Sequence, residues 1–163
     1  MKLISTESNF RLYEFKPTLF SLIAFPMEKL TIIRRCRFLY EYFCGGYKVY
    51  YLQVDDNFVG YCCVTPGGRR LKCCTNNDIV IGPYFILPQF RGNGYAKILI
   101  NKTFENCTYH FNNIFCWIHE SNIPSIKTVE ACGMTTIGLR LKVIGKLRRL
   151  SLNESGDYIV FKK

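Results

Sequence analysis

Acidic residues and histidines are scarce in this sequence of 163 residues. Aspartate and glutamate number 12 against 22 lysines and arginines, which gives a formal net charge of +10. Such an excess fits a solvated surface, nucleic acid or a strongly anionic small molecule as partner. The basic residues are scattered and no nucleic-acid-reading motif occurs, so we expect no nucleic acid. Only His110 and His119 are available as the base of a Cys-His nucleophile.

Long apolar runs are also missing. No stretch approaches the roughly 20 residues of a membrane span, and residues 1–7 become polar too early for a signal peptide. We therefore expect a cytoplasmic protein without a membrane span. Hydrophobic residues make up 48% and aromatic residues 15%, which excludes a disordered chain. The length fits one domain over residues 1–163, and no linker or repeat interrupts it.

The nine cysteines lack the spacing of a metal site. Cys62-Cys63 and Cys73-Cys74 are adjacent pairs, the others stand alone, and no C-x-x-C motif occurs. Without an export signal, reduced thiols are favoured over disulfides, and a catalytic cysteine is the less favoured alternative. The sequence predicts no metal.

One glycine-containing stretch, residues 88–99, organises the chain. An apolar run at residues 79–87 leads into it and a helical pattern leads out. Helix N-termini present unpaired N–H groups and a partial positive charge, so they bind phosphate. Gly92 and Gly94 allow backbone amides to approach an anion closely, and Arg91 adds a positive charge. These features favour a pyrophosphate cradle over a plain helix-entry turn.

The remaining pattern predicts alternating strands and helices. Strands are expected at residues 10–15, 47–54, 58–65, 78–87, 113–118, 139–144 and 158–161. Helices are expected at residues 27–43, after Gly94 and after Asn122. In the first helix an apolar stripe shares one face, formed by Leu30, Ile33, Cys36, Tyr40 and Phe43. A bulge or splay is expected near Gly82-Pro83, because proline removes a backbone donor.

Two motifs resemble those of the GNAT acyltransferase superfamily. Gln89-x-x-Gly92-x-Gly94 resembles its acyl-CoA signature, and residues 122–134 resemble its N-x-x-S/A…G-F segment. The resemblance covers most of the chain, strongly over residues 78–134. It implies an α/β (α+β) GNAT fold, with a mixed sheet of about seven strands flanked by helices. The fourth and fifth strands would be parallel and splayed.

The resemblance also implies acetyl-CoA as cofactor and names its contacts. The backbone of Phe85, Ile86 and Leu87 would pair with the pantetheine arm, much as an added strand would. The pyrophosphate would be held by the amides of Arg91, Gly92, Asn93, Gly94, Tyr95 and Ala96. Asn122 and Ser125 would lie beside the arm, and helix capping is the alternative role for both.

The sequence departs from the family at two catalytic positions. Val129 stands where a tyrosine often acts as general acid, and Ile81 stands where a glutamate is often found. Substitutes must lie nearby. A free imidazole titrates close to neutral pH, so His119 is the preferred candidate, followed by Tyr84 and Glu120. Asp78 is the remaining acid, but it lies too far toward the start of its strand.

The resemblance implies direct transfer of an acetyl group to a primary amine. A basic cluster at Lys146, Arg148 and Arg149 would bind an anionic acceptor, such as an amino sugar or sugar nucleotide. Further basic residues lie within 69–72. Residues 116–125 are similar to GNAT proteins of surface-polysaccharide synthesis. Protein or peptide N-acetylation and an inactive acyl-CoA-binding module are the alternatives, and a homodimer is one of the oligomeric states left open.

Overall fold

The computed structural model describes residues 1–7, 9–24, 31–68, 73–144 and 149–163; the side chains of Arg34, Ile144, Arg149 and Leu150 are outside this description. The described helices are α1 (Ile32–Phe43), α2 (Tyr95–Asn106) and α3 (Ile123–Ala131). The described strands are β1 (Lys2–Glu7), β2 (Phe10–Phe15), β3 (Lys48–Val54), β4 (Asn57–Pro66), β5 (Asp78–Ile86), β6 (Asn113–His119), β7 (Thr135–Ile144), β8 (Arg149–Leu152) and β9 (Tyr158–Lys162).

The first compact unit comprises residues 1–65 and 83–108. Its strands β1 to β4 pair antiparallel in chain order, so each is joined to the next by a hairpin or a helical connection. A cluster on one face is buried, formed by Phe15, Tyr47, Val49, Tyr51, Tyr61 and Cys63. The second half of β5 and helix α2 complete this unit.

The second unit comprises residues 66–82 and 109–163. The start of β5 pairs parallel with β6, then β6 pairs antiparallel with β9, β9 with β7, and β7 with β8. Its core contains Cys74, Val80, Phe115, Leu141 and Val160. The mixed sheet and its parallel β5–β6 pair confirm the predicted α+β fold class.

The described strands number nine, two more than the sequence predicts. The missed strand β1 buries none of its six residues, so it has no alternation of apolar and polar positions to reveal it. The other missed strand, β8, has only four residues. Strand β7 begins at Thr135, earlier than expected, because Gly138 (φ +75°) interrupts the pattern where the register with β9 shifts.

Helix α1 presents its predicted apolar stripe outward. Ile33, Tyr40 and Phe43 are 78%, 65% and 70% exposed, whereas Phe38 and Tyr42 pack on the buried cluster of the first unit. Aromatic residues of α1 between the stripe positions therefore anchor the helix. The first residues of the predicted helix, 27–30, lie outside the described residues.

A buried polar cluster in the first unit holds Thr108, two residues after the end of α2, against strands β2 and β3. Glu14 is 5% exposed and accepts hydrogen bonds from Tyr50 (3.0 Å) and Thr108 (2.7 Å). Lys48 Nζ lies 3.4 Å from Glu14 Oε2 and also bonds Thr108. Burial alone would raise the pKa of Glu14, but these hydrogen bonds and the lysine charge lower it. The cluster is a structural tie between β2, β3 and residue 108.

All nine cysteines are free thiols, as the sequence predicts. Burial raises the pKa of Cys116 to about 12, so this thiol stays neutral. Cys36 on α1 is exposed, and the other eight are partly or fully buried. Over the described ranges, no helix combines the length and apolarity that crossing a bilayer requires.

Candidate functional site

The glycine stretch forms a tight turn between β5 and α2 in the first unit. A short 3₁₀ segment, Pro88–Phe90, follows β5, and the turn then reaches the N-cap of α2 at Gly94. Gly92 and Gly94 have φ values of +83° and +74°. This left-handed conformation costs other residues about 1–2 kcal/mol, which explains glycine at both positions.

The N-terminus of α2 has no side-chain cap. The N–H groups of Phe90 and Arg91 are used within the turn, since they donate to Leu87 O (2.9 Å) and Pro88 O (3.2 Å). Within the part of the chain that the structure describes, residues 92–96 donate no backbone–backbone hydrogen bond of this kind. Of the amides predicted to form the cradle, that of Arg91 is thus engaged within the turn, and those of residues 92–96 make no such bond.

The space above the turn is open. A Cβ atom built on Gly92 or Gly94 meets no heavy atom within 4 Å. Exposed amides at the start of a 12-residue helix, beside open space and without a capping side chain, suit a diphosphate. The residues present thus fit the diphosphate of acetyl-CoA.

Arg91 folds back toward β5. Its Nε donates to Ile86 O at 3.0 Å, and its guanidinium carbon lies 5.3 Å from the centroid of the Phe85 ring. The Arg91 side chain therefore stacks on Phe85 and donates a hydrogen bond to Ile86. Both residues belong to the segment predicted to pair with the pantetheine arm. Arg91 brings a positive charge to the turn and braces the end of β5.

The second half of β5 lies close to β4. Leu87 N donates to Val59 O at 2.9 Å, and a Cβ on Gly60 would lie 2.5 Å from Phe85 O and 2.4 Å from Ile86 Cδ1. Only glycine at position 60 permits this approach. The Phe85 ring packs 6.1 Å from that of Tyr61. Tyr84, a candidate donor, is partly buried in the same stretch.

In the second unit, the parallel ladder between β5 and β6 is short. It joins residues 78–80 to residues 113–115 and ends before Gly82. Gly82 has a φ of +117°, a conformation that favours glycine. The backbone irregularity expected at Gly82-Pro83 is therefore present.

His119 ends β6 and is partly buried. Its Nδ1 accepts the Ser121 backbone N–H at 3.2 Å and lies 2.8 Å from Ser121 Oγ. The Tyr158 ring packs edge-on at 5.1 Å between centroids. Because the backbone N–H needs a lone pair on Nδ1, the neutral ring carries its proton on Nε2. The arrangement makes Nε2 a donor, whereas the sequence alone could not decide between acid and base.

The other predicted residues of this segment have structural partners. Glu120 Oε2 accepts from Arg140 Nη1 at 2.8 Å, in an ion pair with both side chains about half exposed. Asn122 Oδ1 accepts the Ser125 N–H at 3.4 Å and is the N-cap of α3. The capping alternative thus describes Asn122 in this structure.

Both departures from the family pattern lie in the core. Val129 is fully buried and Ile81 is 2% exposed, so neither can supply a proton. Asp78 is 3% exposed and accepts hydrogen bonds from Thr75 and Asn113. Burial alone would raise the pKa of Asp78, but these bonds hold it below its usual value. Asp78 therefore anchors the start of β5.

The predicted acceptor cluster is outside the reach of the structure. Arg148, Lys146 and residues 69–72 lie outside the described residues, and of Arg149 only the backbone in β8 is described. Sequence reasoning missed Ser121 and Arg140, the partners of His119 and Glu120. The position of Ser121, two residues after a histidine, is the only sequence feature that could have indicated its role. No sequence feature indicates the role of Arg140. Among the described residues, no group of three or more His, Cys, Asp or Glu could hold a metal ion.

A family model identifies the class of protein. The model for the acetyltransferase (GNAT) family matches residues 14–134, so the chain belongs to this family. The resemblance predicted from the two motifs is confirmed. The chain is an acetyltransferase of the acetyl-CoA-dependent class, as the sequence predicts. No curated protein matches this sequence significantly.

Solved structures show the same fold at low identity. The spermidine N-acetyltransferase from Vibrio cholerae, in complex with CoA and spermine, is 13% identical with a TM-score of 0.60, and the match covers 93% of this chain and 94% of that one. The ribosomal-protein-alanine N-acetyltransferase from Brucella melitensis is 18% identical with a TM-score of 0.59, covering 83% and 80%. The microcin C7 self-immunity acetyltransferase MccE, in complex with acetyl-CoA and AMP, is 15% identical with a TM-score of 0.62, covering 96% and 93%.

Proposed function

We propose that this protein transfers the acetyl group of acetyl-CoA to a primary amine on a small anionic acceptor. The observation that carries the first half is the turn before α2, where residues 92–96 donate no backbone–backbone hydrogen bond outside regular helices and strands and a Cβ on Gly92 or Gly94 would meet no heavy atom within 4 Å. A diphosphate is the part of acetyl-CoA that such a turn recognises. The net charge of +10 supports an anionic acceptor over a polycationic one.

The residues of the first unit bind and orient the cofactor. The amides of Gly92 to Ala96 hold the diphosphate, and the backbone of Phe85 and Leu87 is available to align the pantetheine arm by strand-like pairing. Ile86 O already accepts a hydrogen bond from Arg91, which leaves the second lone pair of this carbonyl for that pairing. When bound, acetyl-CoA supplies an activated acetyl thioester.

A hydrogen-bonding role at the leaving group is assigned to His119. An attacking amine must lose a proton, and a departing thiolate gains one. With Nδ1 accepting the Ser121 N–H, Nε2–H is the donor atom. We therefore assign His119 to stabilise the departing thiolate with a hydrogen bond from Nε2–H, while the amine releases its proton to solvent and the thiolate takes one up from solvent, and Ser121 positions the ring. Tyr84 is the second donor candidate, and Glu120 is the weakest, because Arg140 already engages it.

Replacing His119 tests this assignment. His119→Ala should lower kcat about 100-fold at saturating acetyl-CoA, since one hydrogen-bond donor to a developing negative charge contributes roughly 10²–10³. The Kd for CoA should not change. His110→Ala, which alters the only other histidine in the sequence, is the control and should retain full kcat. An unchanged kcat in His119→Ala would remove His119 from the mechanism.

The acceptor is best sought among phosphate-bearing amines. An amino-sugar nucleotide carries both the amine and the anionic group that arginine clamps bind. We would compare kcat/KM for a nucleotide-linked amino sugar, the same amino sugar without the nucleotide, spermidine and an alanine-initiated peptide. The first should be preferred by at least tenfold. A preference for the peptide would favour protein N-acetylation, and a preference for spermidine would contradict the anionic acceptor.

An inactive acyl-CoA-binding module is the second candidate. It is favoured by Val129 and Ile81, which place buried aliphatic side chains where the family often has catalytic ones. Thiol release from acetyl-CoA across the same acceptors, measured beside a CoA titration, separates the two functions. Tight CoA binding without turnover on any acceptor would support the module and exclude the enzyme.

A further inference from the structure

The outward face of α1 is apolar and solvent-exposed. Four large side chains on this helix are between 65% and 81% exposed: Ile32, Ile33, Tyr40 and Phe43. Burial of one such side chain contributes roughly 1.5–3 kcal/mol, so leaving four exposed is a substantial cost. Contiguous apolar faces of this kind mark interaction sites.

A second exposed apolar element belongs to the first unit and precedes α1 in the chain. In the turn closed by the Thr18–Ser21 bridge, Phe20 is 97% exposed and Leu19 is 48% exposed. Tyr47 connects the two elements, because its hydroxyl donates to Leu22 O and its ring lies 5.2 Å from that of Phe38 in α1. We call the exposed residues of the turn and of α1 together the α1 surface.

The charges on the α1 surface have one dominant sign. Among the side chains of α1 that the structure describes, two are arginines, Arg35 and Arg37, and one is acidic, Glu41. Arg35 and Arg37 are exposed, and Lys16, just before the turn, has a side chain 71% exposed. A second copy of the chain would bring these positive charges together in a symmetric interface, which is unfavourable. The charges complement an anionic partner.

We propose that the α1 surface binds an anionic lipid surface. Aromatic and aliphatic side chains on one helix face, flanked by arginines, match an interfacial helix whose apolar side enters the headgroup region. A convex helix face needs no shape-complementary groove in a lipid partner. The long arginine side chains reach lipid phosphates while Phe20, Tyr40 and Phe43 contact the acyl boundary. This surface is separate in role from the glycine turn.

Vesicle co-sedimentation of the full chain tests the proposal. Binding to vesicles of phosphatidylcholine with 30 mol% phosphatidylglycerol should exceed binding to phosphatidylcholine alone by at least roughly tenfold, and should weaken with salt. The double variant Arg35→Gln/Arg37→Gln should lose roughly 30-fold on anionic vesicles, since each basic residue near such a surface contributes about 1 kcal/mol. Tyr40→Ser/Phe43→Ser should lose at least tenfold.

Matched controls lie on exposed positions of the second unit. Lys127→Gln/Lys142→Gln changes the charge equally, and Ile123→Ser/Leu152→Ser removes exposed apolar side chains of similar size. Neither control should change vesicle binding by more than about twofold. The Kd for CoA, measured for every variant, verifies that the first unit remains folded.

Cys36 provides an independent readout on the same helix. It is the only one of the nine cysteines that is exposed, the others being partly or fully buried, so it reacts first with a thiol-specific fluorophore. Anionic vesicles should shift the emission of that fluorophore to the blue and slow its maleimide labelling. The proposal would be overturned if the protein did not bind anionic vesicles, or if both α1 double variants bound them as tightly as wild type. A dimer in light scattering that Tyr40→Ser/Phe43→Ser abolishes would assign the surface to a second copy instead.

Discussion

The N-termini of α2 and α3 differ in whether a side chain accepts a hydrogen bond from their first backbone N–H groups. Helix α3 begins at Asn122, whose side chain accepts the Ser125 N–H, and it carries a proline in its first turn. Helix α2 begins at Gly94, which has no side chain to offer and adopts a φ of +74°. In α3 a side chain accepts one of the first amides, whereas no side chain accepts one in α2.

This difference separates a structural motif from a binding motif. An Asn or Ser cap stabilises a helix by about 1 kcal/mol, and α2 lacks that contribution. The glycine turn is therefore suboptimal for stability and suited to a ligand that supplies the missing acceptors. Both family motifs were identified together in the sequence, yet only the first leaves its amides available.

The largest expected effect comes from Gly94→Asp. The carboxylate would repel the diphosphate and occupy the open space, and the left-handed backbone would be strained. The Kd for CoA should rise about 100-fold, or about 2.7 kcal/mol, as measured by titration calorimetry. Gly138→Asp, at φ +75° with open space around it, carries matched strain outside the turn and should leave the Kd unchanged. Pantetheine, which lacks the diphosphate, should bind wild type and Gly94→Asp equally.

Asp78→Asn should lower stability without affecting the turn. Asp78 accepts three hydrogen bonds from Thr75 and Asn113, and a neutral amide would face some of these donors with its own N–H groups. We expect a loss of about 2 kcal/mol at neutral pH in denaturant unfolding. The Kd for CoA should be unchanged, which would show that affinity follows the helix end and not global stability.

The pH dependence of this effect has a defined direction. The folded pKa of Asp78 lies below the unfolded value near 3.8, so the carboxylate stabilises the fold above that value. The stabilisation is lost as pH falls through the folded pKa. The stability difference between wild type and Asp78→Asn should therefore be full above about pH 5 and shrink below about pH 3.8. A difference that grew on acidification would contradict the assignment.

Asn122→Ala should separate capping from cofactor contact. Loss of the α3 cap should cost about 1 kcal/mol of stability, and Asn122→Asp should retain most of it. The Kd for CoA should stay within twofold of wild type if Asn122 is only a cap. A tenfold weaker Kd at unchanged stability would instead place Asn122 beside the cofactor and weaken the contrast between the two helices.

The smallest effect is expected from Arg91. Arg91→Ala removes a charge near the diphosphate and the bond to Ile86 O, and should raise the Kd for CoA about fivefold, or about 1 kcal/mol. Arg91→Lys keeps the charge and loses the Nε bond and the stacking on Phe85. Equal Kd values for wild type and Arg91→Lys would show that charge alone matters, whereas a fivefold loss in both variants would assign the effect to the brace on β5.

Local patterns predicted the glycine turn, the hairpin and the parallel β5–β6 pair. The turn depends on residues close in sequence, such as Gly92 with Gly94, and the parallel pairing follows from the helix that connects the two strands. Strand β1 escaped because none of its six side chains is buried. The sequence does not predict which face of α1 packs on the sheet. Phe38 and Tyr42 form a second apolar face beside the predicted stripe, and only tertiary packing decides which of the two faces is buried. Likewise, the tautomer of His119 depends on the direction of the Ser121 N–H, which no spacing rule contains.

Gly60 extends its influence beyond its own strand. Any side chain at position 60 would collide with Phe85 O and Ile86 Cδ1. The β5 backbone can therefore lie this close to β4 only because Gly60 has no Cβ atom. Enlarging residue 60 by a single methyl group would push that backbone away from its neighbour. Under the proposed pairing of the β5 backbone with the pantetheine arm, a side chain at position 60 would shift that arm, so a search for altered acyl-chain length should begin there.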